Sequence, residues 1–349
     1  MSGPHGSNEA GTEGAGARYT ATYLLPIRRT HIEADDDLDA YLAWLASLAP
    51  GLEVIVVDGS PPEVFDHHHA RWAAHVAHIA PLGVLRGANG KAWGVNTGLR
   101  YASHERVVIA DDDVRHDEGS LTRLVALLDH AEVVRPQNYF HPLPWHALWD
   151  TGRILLNRTL GGDWPGTLAL RRHTPAGERI EGYDGGVLFE NLELCRTVEA
   201  AGGRHLVAPD LYVRRKPPTA RHFWSQRVRQ AYDEFARPPV LLAELAVAPA
   251  VAAVLLARRP GSLLAGALGV VALAEVGRRR AGGARYFPPH ASVMAPVWVL
   301  ERAACSWIAL WWRVRHGGIR YGDQVLTKAA NSTADLRRQR LDGAIPHST

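Results

Sequence analysis

The chain has 349 residues, of which 46% are apolar and 21% charged, a composition typical of a globular protein with a sizeable core. The formal net charge of +3 is too small to indicate a nucleic-acid-binding protein. The only two cysteines, Cys195 and Cys305, exclude a disulfide framework and a cysteine-based zinc site. No apolar signal-peptide segment is visible at the N-terminus, so we expect the folded part to face the cytoplasm.

The first half of the chain alternates predicted strands and helices. Residues 1–18 consist mainly of Gly, Ser, Glu and Ala and are expected to be disordered. Predicted strands cover 20–26, 53–57, 84–86 and 106–110, and predicted helices cover 35–48, 62–78 and 91–102. This alternation predicts an α/β fold with a mostly parallel sheet flanked by helices.

Three consecutive carboxylates, Asp111, Asp112 and Asp113, follow the apolar run 107–110. Ligands of open α/β sheets bind outside the carboxyl ends of the strands, which is where these side chains are expected. Carboxylate oxygens suit Mg²⁺ or Mn²⁺, and Asp111 and Asp113 could both reach one ion. The alternative is a solvated acidic loop that precedes a helix starting near Ser120.

Two other predicted strand ends carry polar groups. Asp58 follows an apolar run and could accept a hydrogen bond from a base or a ribose, although Asp-Gly-Ser-Pro is also a common turn sequence. Residues 87–91 form a glycine-rich entry to a helix that contains Asn96, and such an entry can hold phosphate with Lys91 adding charge. The spacing is not that of a P-loop, and an ordinary helix cap is the alternative.

In combination these segments resemble the nucleotide-binding half of an inverting family 2 glycosyltransferase with the GT-A fold. The matching segments are Glu53-Val-Ile-Val-Val-Asp-Gly-Ser60, Gly90-Lys91-Ala92 with Asn96 and Gly98, and Asp111-Asp-Asp113. The resemblance implies that Asp58 binds the nucleobase, that Lys91 lies by the nucleotide, and that Asp111 and Asp113 hold the metal on the diphosphate. The nucleotide-sugar site predicted in this way also includes Pro26, Asn96, Asp112 and Gln226.

The second half of the chain extends the resemblance. Residues 164–172 are expected to form a strand on the acceptor side, and residues 189–196 are similar to the family's Glu-Asp-x-x-Leu-x-x-Arg segment, whose acidic pair supplies the catalytic base. Asn191 replaces the second acid and cannot take a proton, so the resemblance implies that Glu190 is the base, with Asp184 in reserve. The alternative is that Glu190 only favours the first turn of a helix.

Gln226-Arg-Val-Arg229 is similar to the Gln-x-x-Arg-Trp motif of the membrane-embedded branch of the family. We predict that Arg229 stabilises the departing diphosphate. Gln230 replaces the Trp, which fits an enzyme that adds a single sugar better than a processive synthase. An amphipathic helix with an exposed arginine is the alternative.

Three apolar segments follow, at 240–257, 261–276 and 295–312. The first spans roughly 27 Å, just short of a bilayer core of about 30 Å. The third is rich in Trp and interrupted by Glu301-Arg302, which suits a helix lying in the membrane interface. We expect the first two to form a spanning hairpin. The alternatives are that all three lie in the interface, or that the first two are buried helices of a soluble domain.

Two remaining stretches have weaker signals. Residues 317–326 are expected to form a hairpin around Gly322-Asp323, and residues after Ala329 to be loose. The histidines between 67 and 78 have no strong metal-ligand spacing and are expected on a solvated helical face away from the strand ends.

The predicted organisation is a disordered tail at 1–18, a GT-A catalytic domain at 19–237, a membrane-associated helical region at 238–316, and a hairpin with a polar tail at 317–349. The resemblance implies an inverting, metal-dependent transferase at the cytoplasmic face of the cell membrane. Its donor would be a nucleoside-diphosphate sugar, with a UDP-sugar favoured, and its acceptor a hydroxyl of a lipid or lipid-linked molecule. A metal-dependent nucleotidyl or phosphoryl transferase and an inactive membrane scaffold are the alternatives.

Overall fold

The computed structural model describes residues 20–33, 36–322 and 324–342. The predicted N-terminal tail, the first residue of the first predicted helix (Asp35) and Asp323 at the tip of the predicted hairpin lie outside the described residues.

Strands and helices alternate through the first half of the described chain, and helices dominate the second. In chain order the elements are β1 Ala21–Ile27, α1 Asp36–Ala46, β2 Leu52–Asp58, α2 Pro62–Trp72, β3 Ala77–Ile79, α3 Gly90–Tyr101, β4 Arg106–Ala110, β5 Val114–Arg115, α4 Glu118–Ala126, β6 Val133–Phe140, α5 Trp145–Thr159, β7 Thr167–Arg171, α6 Glu190–Ala200, β8 His205–Arg215, α7 Ala220–Tyr232, α8 Pro238–Leu256, α9 Pro260–Arg279, α10 His290–Val293, α11 Ala295–His316, β9 Ile319–Tyr321, β10 Gln324–Leu326 and α12 Thr333–Leu341.

The central sheet has the strand order β3-β2-β1-β4-β7-β6-β8-β5. β7 and β5 run opposite to the other strands. The inner strands are apolar and buried on both faces, as a sheet covered by helices on both sides requires. The predicted mostly parallel sheet is therefore confirmed, and the carboxyl ends of β1, β2 and β4 meet at one edge.

The third strand is not where the sequence predicts it. Residues 84–86 do not form a strand, and Gly83–Leu85 is a short 3₁₀ turn. The strand is Ala77–Ile79, which pairs in parallel with β2, and the helix predicted to reach residue 78 ends at Trp72. A three-residue edge strand has too short a pattern for the sequence to indicate it, because its position is set by pairing with β2.

Helices α8, α9 and α11 belong to segments that are long and apolar enough to cross a membrane. Leu242, Leu256 and Leu264 are among the apolar side chains that α8 and α9 expose. In α11 the charged pair that favours an interfacial position faces the protein instead, since Glu301 pairs with Arg227 and Arg302 is buried.

Helix α5 joins the C-terminal helices to the sheet. A Cβ on Gly277 of α9 would lie 1.9 Å from the Leu155 carbonyl oxygen, so only glycine allows this approach of the two backbones. The buried Arg158 of α5 donates to the carbonyl oxygens of Gly277 (2.9 Å) and Arg280 (2.5 Å) and to the Tyr212 hydroxyl (2.7 Å). These bonds satisfy carbonyl groups at the end of α9 and attach it to β8.

The chain returns to the catalytic region after α11. β9 and β10 pair antiparallel, and the next residues run beside the start of α6, where Phe189 donates its backbone N–H to the Ala329 carbonyl oxygen at 2.8 Å. The expectation of loose structure after Ala329 is wrong for Thr333–Leu341, which forms α12. Ser332 caps this helix and Leu336 is buried, two signals that a polar composition concealed.

Candidate active site

A cavity of about 740 Å³ lies at the sheet edge where β1 and β4 end, and it extends between α5, α7, α8 and α11. It brings together most of the residues predicted for the site: Pro26, Lys91, Asp111, Asp112, Asp113, Glu190, Gln226 and Arg229. Asp58, Asn96 and Asp184 do not line it.

Lysine and arginine side chains link the carboxylates that line the cavity. Lys91 Nζ lies 2.5 Å from Asp111 Oδ1 and 2.5 Å from Glu190 Oε1. Arg215 donates through Nε to Asp113 Oδ2 at 2.9 Å and through Nη2 to Asp111 Oδ2 at 3.3 Å. The sequence did not single out Arg215, because only the pairing of β8 in the sheet brings its end to this edge.

The local electrostatics keep Lys91 and Asp111 charged. Burial alone would lower the pKa of Lys91, but the carboxylates of Asp111 and Glu190 raise it above its ordinary value. Burial would raise the pKa of Asp111, yet Lys91 and Arg215 lower it. For Asp113, burial and the negative charges of Asp111 and Asp112 raise the pKa to about 6, although Arg215 opposes them.

The donor set fits a hard divalent cation. Asp113 Oδ1 is buried and has no hydrogen-bond partner among the described residues. A Cβ on Gly166 would lie 2.7 Å from Asp111 Oδ2, so glycine at this position leaves room beside the carboxylate. Asp111 and Asp113 both line the cavity, and Asp113 Oδ1 is unused by the described residues. Proteins hold Mg²⁺ or Mn²⁺ in this way, with one or two carboxylates beside the phosphates of a substrate.

Of the two bases predicted from the sequence, Glu190 and Asp184, only Glu190 lines the cavity. It is the first residue of α6, and its neighbour Asn191 donates its amide to the Pro165 carbonyl oxygen at 3.1 Å. Asp184 accepts from the Asn331 amide at 2.9 Å, outside the cavity. Glu193 is fully buried and accepts two hydrogen bonds from Asn331, both of 2.7 Å.

Asp58 is buried beside two histidines. Its Oδ2 accepts from His68 Nδ1 at 2.6 Å and His78 Nε2 at 3.2 Å, and its Oδ1 accepts from the Ser60 backbone N–H at 2.9 Å. Burial opposes ionisation, but these hydrogen bonds lower the pKa of Asp58 to about 2.

The histidine prediction is therefore wrong for His68 and His78, which are 5% and 6% exposed rather than solvated. With Asp58 they bring three potential ligand atoms within 4.8 Å of one another. Two imidazole nitrogens suit a softer transition metal than Mg²⁺. In this structure the three side chains satisfy one another by hydrogen bonding. Strand β3 lies at Ala77–Ile79 instead of the predicted 84–86, and this position brings His78 close to Asp58 at the end of β2.

Asn96 does not have the nucleotide-site position predicted for it, whereas Asn89 forms the helix cap that was the alternative for residues 87–91. Asn96 is bonded to the backbone of Tyr183, through Nδ2 to the carbonyl oxygen at 2.9 Å and through Oδ1 to the N–H at 3.1 Å. Asn89 caps α3, with its Oδ1 accepting from the backbone of Lys91 at 3.0 Å, and lines the cavity. The cap orients the first turn of α3 and thereby Lys91.

One face of α7 and the residue after it point into the cavity. Gln226, Arg229, Gln230 and Asp233 all line it, at the i, i+3, i+4 and i+7 spacing of a single helical face. Arg229 lies over the Tyr321 ring at 5.2 Å. Burial, with help from Glu234 and Glu190, raises the pKa of Asp233 to about 8, although Arg229 opposes the shift. The sequence analysis missed Asp233, but extending the helical spacing from Gln226 would have found it.

Comparison with known proteins supports the fold. Residues 32–179 match the family model described as glycosyl transferase family 2. This range includes Asp58, Lys91, Asp111 and Asp113 and ends before Glu190. No curated protein is significantly similar in sequence to the chain.

Among solved structures, the chain is similar to the mannosyltransferase PcManGT from Pyrobaculum calidifontis, solved in complex with GDP-Man and Mn²⁺. The identity is 21%, the TM-score is 0.52, and the alignment covers 84% of this chain and 87% of that one. Glucosyl-3-phosphoglycerate synthase from Mycobacterium tuberculosis, solved with Mn²⁺ and UDP, is 17% identical with a TM-score of 0.38, covering 59% of this chain and 75% of that one. The likeness to the mannosyltransferase confirms the GT-A-type fold.

Proposed function

We propose, from the match of residues 32–179 to the glycosyl transferase family 2 model, that the chain is an inverting, metal-dependent glycosyltransferase with a lipid or lipid-linked acceptor. The observation that carries the proposal is the single cavity in which Asp111, Asp113, Glu190 and Arg229 meet. Carboxylates suited to a metal, a carboxylate base and a cation for the leaving group are the groups that such a transfer needs.

The proposed reaction is one displacement at the anomeric carbon. The acceptor hydroxyl oxygen forms the new bond as the bond to the nucleoside diphosphate breaks, and Glu190 takes the hydroxyl proton. Asp111 and Asp113 would hold Mg²⁺ or Mn²⁺, which supplies positive charge for the diphosphate. Arg229 is positioned to stabilise the same leaving group, because it lines the cavity close to Asp111.

Lys91 links the metal site to the base. Its Nζ atom lies 2.5 Å from both Asp111 Oδ1 and Glu190 Oε1. The diphosphate of an incoming donor attracts the Lys91 ammonium group, so that Glu190 is released to accept the proton. A UDP-sugar remains the favoured donor, and GDP-mannose is a second probe because the mannosyltransferase with the similar fold was solved with GDP-Man.

Exposed apolar helices support a membrane location. Three segments, at Pro238–Leu256, Pro260–Arg285 and His290–His316, have the length and hydropathy of membrane spans. An acceptor that enters from the bilayer would reach the cavity between α8, α9 and α11. We propose that the protein is held at the cell membrane by these helices, with its catalytic domain on the cytoplasmic side.

The decisive experiment uses the full chain purified in detergent and incubated with UDP- or GDP-sugars and Mn²⁺. We expect slow metal-dependent hydrolysis that releases nucleoside diphosphate and free sugar, and Asp113→Asn should abolish it while Asp129→Asn, on the exposed surface, should not. Release of pyrophosphate in the presence of a nucleoside triphosphate would favour a nucleotidyl transferase. Absence of both donor binding and hydrolysis would identify a scaffold.

Cell fractionation tests the location. The full chain should sediment with membranes and resist extraction by high salt while dissolving in detergent. Recovery of the folded full chain in the soluble fraction without detergent would contradict the membrane proposal. A chain ending at Arg237 is a poor control, because it lacks the segment that pairs with the start of α6.

A further inference from the structure

The cavity continues from the carboxylates into an apolar part between the C-terminal helices, called here the apolar arm. It is lined by side chains of α8, α9 and α11, among them Val240, Val247, Val270, Leu273 and Val299. These five side chains carry no hydrogen-bonding groups and are unsuited to a sugar or a nucleotide, although Glu244 of α8 also lines this part of the cavity. Hydrocarbon is the chemistry that these apolar side chains fit.

Of the arginines of α11, Arg302 is the one that lines the cavity. The residue is 2% exposed and lines the cavity. Its Nε and Nη1 atoms have no hydrogen-bond partner among the described residues, and its guanidinium carbon lies 5.2 Å from the centre of the Trp298 ring. A buried guanidinium with two unused donors is costly, so an anionic partner is expected.

The carboxylates within electrostatic range of Arg302 already have other hydrogen-bond partners. Glu301 accepts from Arg227 Nη2 at 2.5 Å and from Cys305 Sγ at 3.0 Å. Glu244 accepts from the Ser306 hydroxyl at 2.6 Å. Glu234 is paired with Arg237. These side chains lower the cost of burying the Arg302 charge without occupying its donors.

Arg227 shows what a fully paired arginine looks like a short distance away. It is also 2% exposed, and it donates to Asp150 at 2.9 Å, to Gln230 at 2.9 Å and to Glu301. The fold can therefore satisfy a buried guanidinium in this region. Arg302 lines the cavity while two of its buried donors stay unused by the described residues, and this combination points to a ligand that is not part of the chain.

We propose that Arg302 binds the phosphate group of a lipid phosphate whose hydrocarbon chain occupies the apolar arm. This inference rests on the proposed function and narrows its acceptor class to an anionic, phosphate-bearing lipid. The guanidinium fork can donate two parallel hydrogen bonds to phosphoryl oxygens, and the apolar side chains of α8 and α9 shield the hydrocarbon from water.

The experiment measures binding to the full chain in detergent micelles by isothermal titration calorimetry, without donor or metal. The probes are farnesyl phosphate, farnesol and inorganic phosphate. We expect farnesyl phosphate to bind roughly tenfold to hundredfold more tightly than farnesol, the range of one or two charge-assisted hydrogen bonds. Arg302→Met should remove this preference, Arg302→Lys should retain part of it, and Arg315→Met, exposed on the same helix, should leave it unchanged.

Equal binding of farnesyl phosphate and farnesol by the wild-type protein overturns the proposal, as does an unchanged preference in Arg302→Met. Inorganic phosphate that binds as tightly as farnesyl phosphate overturns the lipid part of the proposal.

If Arg302→Met does not fold, a second variant tests the proposal: Val270→Trp narrows the apolar arm without removing charge. This substitution should weaken the binding of farnesyl phosphate. Unchanged binding would show that the hydrocarbon part of the lipid does not lie in the apolar arm. The lipid-binding experiment contains no sugar nucleotide, so a negative result would not contradict the proposed metal and donor site. Normal lipid binding without sugar transfer would instead contradict the proposed function.

Discussion

The two sides of the cavity, the proposed donor side and the proposed acceptor side, are built in different ways. On the donor side, Asp111 and Asp113 directly follow β4, and Lys91 lies in the first turn of α3. On the acceptor side, Asp150, Arg227 and Glu301 come from three helices that are far apart in the chain, and they meet in one buried network. The donor side thus depends on where strands end, whereas the acceptor side depends on how helices pack.

This difference predicts different consequences of mutation. Substitutions on the donor side should change chemistry and ligand binding while the fold survives, because strand-end side chains project into the cavity. Substitutions in the acceptor-side network should lower stability first. The predictions below test this contrast, from the largest expected effect to the smallest.

Removing the proposed base should have the largest effect. Glu190→Gln is expected to lower turnover by roughly 10²–10⁴-fold, the contribution of a general base, while donor binding stays close to wild type. Asp184→Asn is the matched control, because Asp184 lies outside the cavity. Steady-state rates with one donor and one acceptor make the comparison.

Two results would reassign the base. If Asp184→Asn is inactive while Glu190→Gln is active, the base lies in the loop before α6. An inactive Asp233→Asn with an active Glu190→Gln would place it after α7, where the raised pKa of Asp233, about 8, suits proton transfer near neutral pH.

Breaking the acceptor-side network should lower stability most. Arg227→Met leaves Asp150 without one of its two arginine partners and removes the arginine bound to Glu301, and we expect a loss of about 3–5 kcal/mol in the free energy of unfolding. Arg221→Met, exposed on the same helix, should change stability little. Thermal unfolding in detergent gives the comparison, and equal midpoints for the two variants would show that the network is not what holds α7 to α11.

The metal site should affect binding without affecting the fold. Asp113→Asn is expected to weaken nucleoside-diphosphate binding roughly tenfold or more when Mn²⁺ is present, and to leave metal-free binding unchanged. Calorimetric titration with and without Mn²⁺ separates metal-dependent binding of the nucleoside diphosphate from metal-free binding. Equal affinities of wild type and variant in the presence of Mn²⁺ would contradict the assignment of Asp113 as a metal ligand.

Asp58 should behave as a stabilising group despite its position at a strand end. Its pKa is lowered to about 2 in the folded protein from 3.8, which corresponds to about 2 kcal/mol of stability. Because the folded pKa is the lower one, this stability is present above pH 4 and is lost as the pH falls from about 4 toward 2.

Thermal unfolding at several pH values tests this sign. The difference in midpoint between wild type and Asp58→Asn should be full at pH 7 and should shrink at pH 3. A difference that does not change with pH would mean that the ionised carboxylate is not what the two histidines stabilise.

The contrast between the two sides also explains which sequence-based expectations the structure matches. An apolar run followed by polar residues predicts a strand end correctly for β2 and β4, and the glycine-rich entry predicts the start of α3. Asn96 shows the limit of motif spacing, since its side chain holds the Tyr183 backbone instead of lining the cavity.

The sequence by itself determined the alternation of strands and helices, the sheet edge at which Asp111 and Asp113 gather, and the apolar character of α8, α9 and α11. These features depend on local patterns, because a buried strand or an apolar helix must carry its signal in consecutive residues. Only the tertiary structure decided that β3 brings His78 to Asp58, that β8 brings Arg215 to the carboxylates, and that Arg302 faces a cavity. Such contacts join residues distant in the chain, and their partners are set by strand pairing and helix packing, which no local pattern encodes.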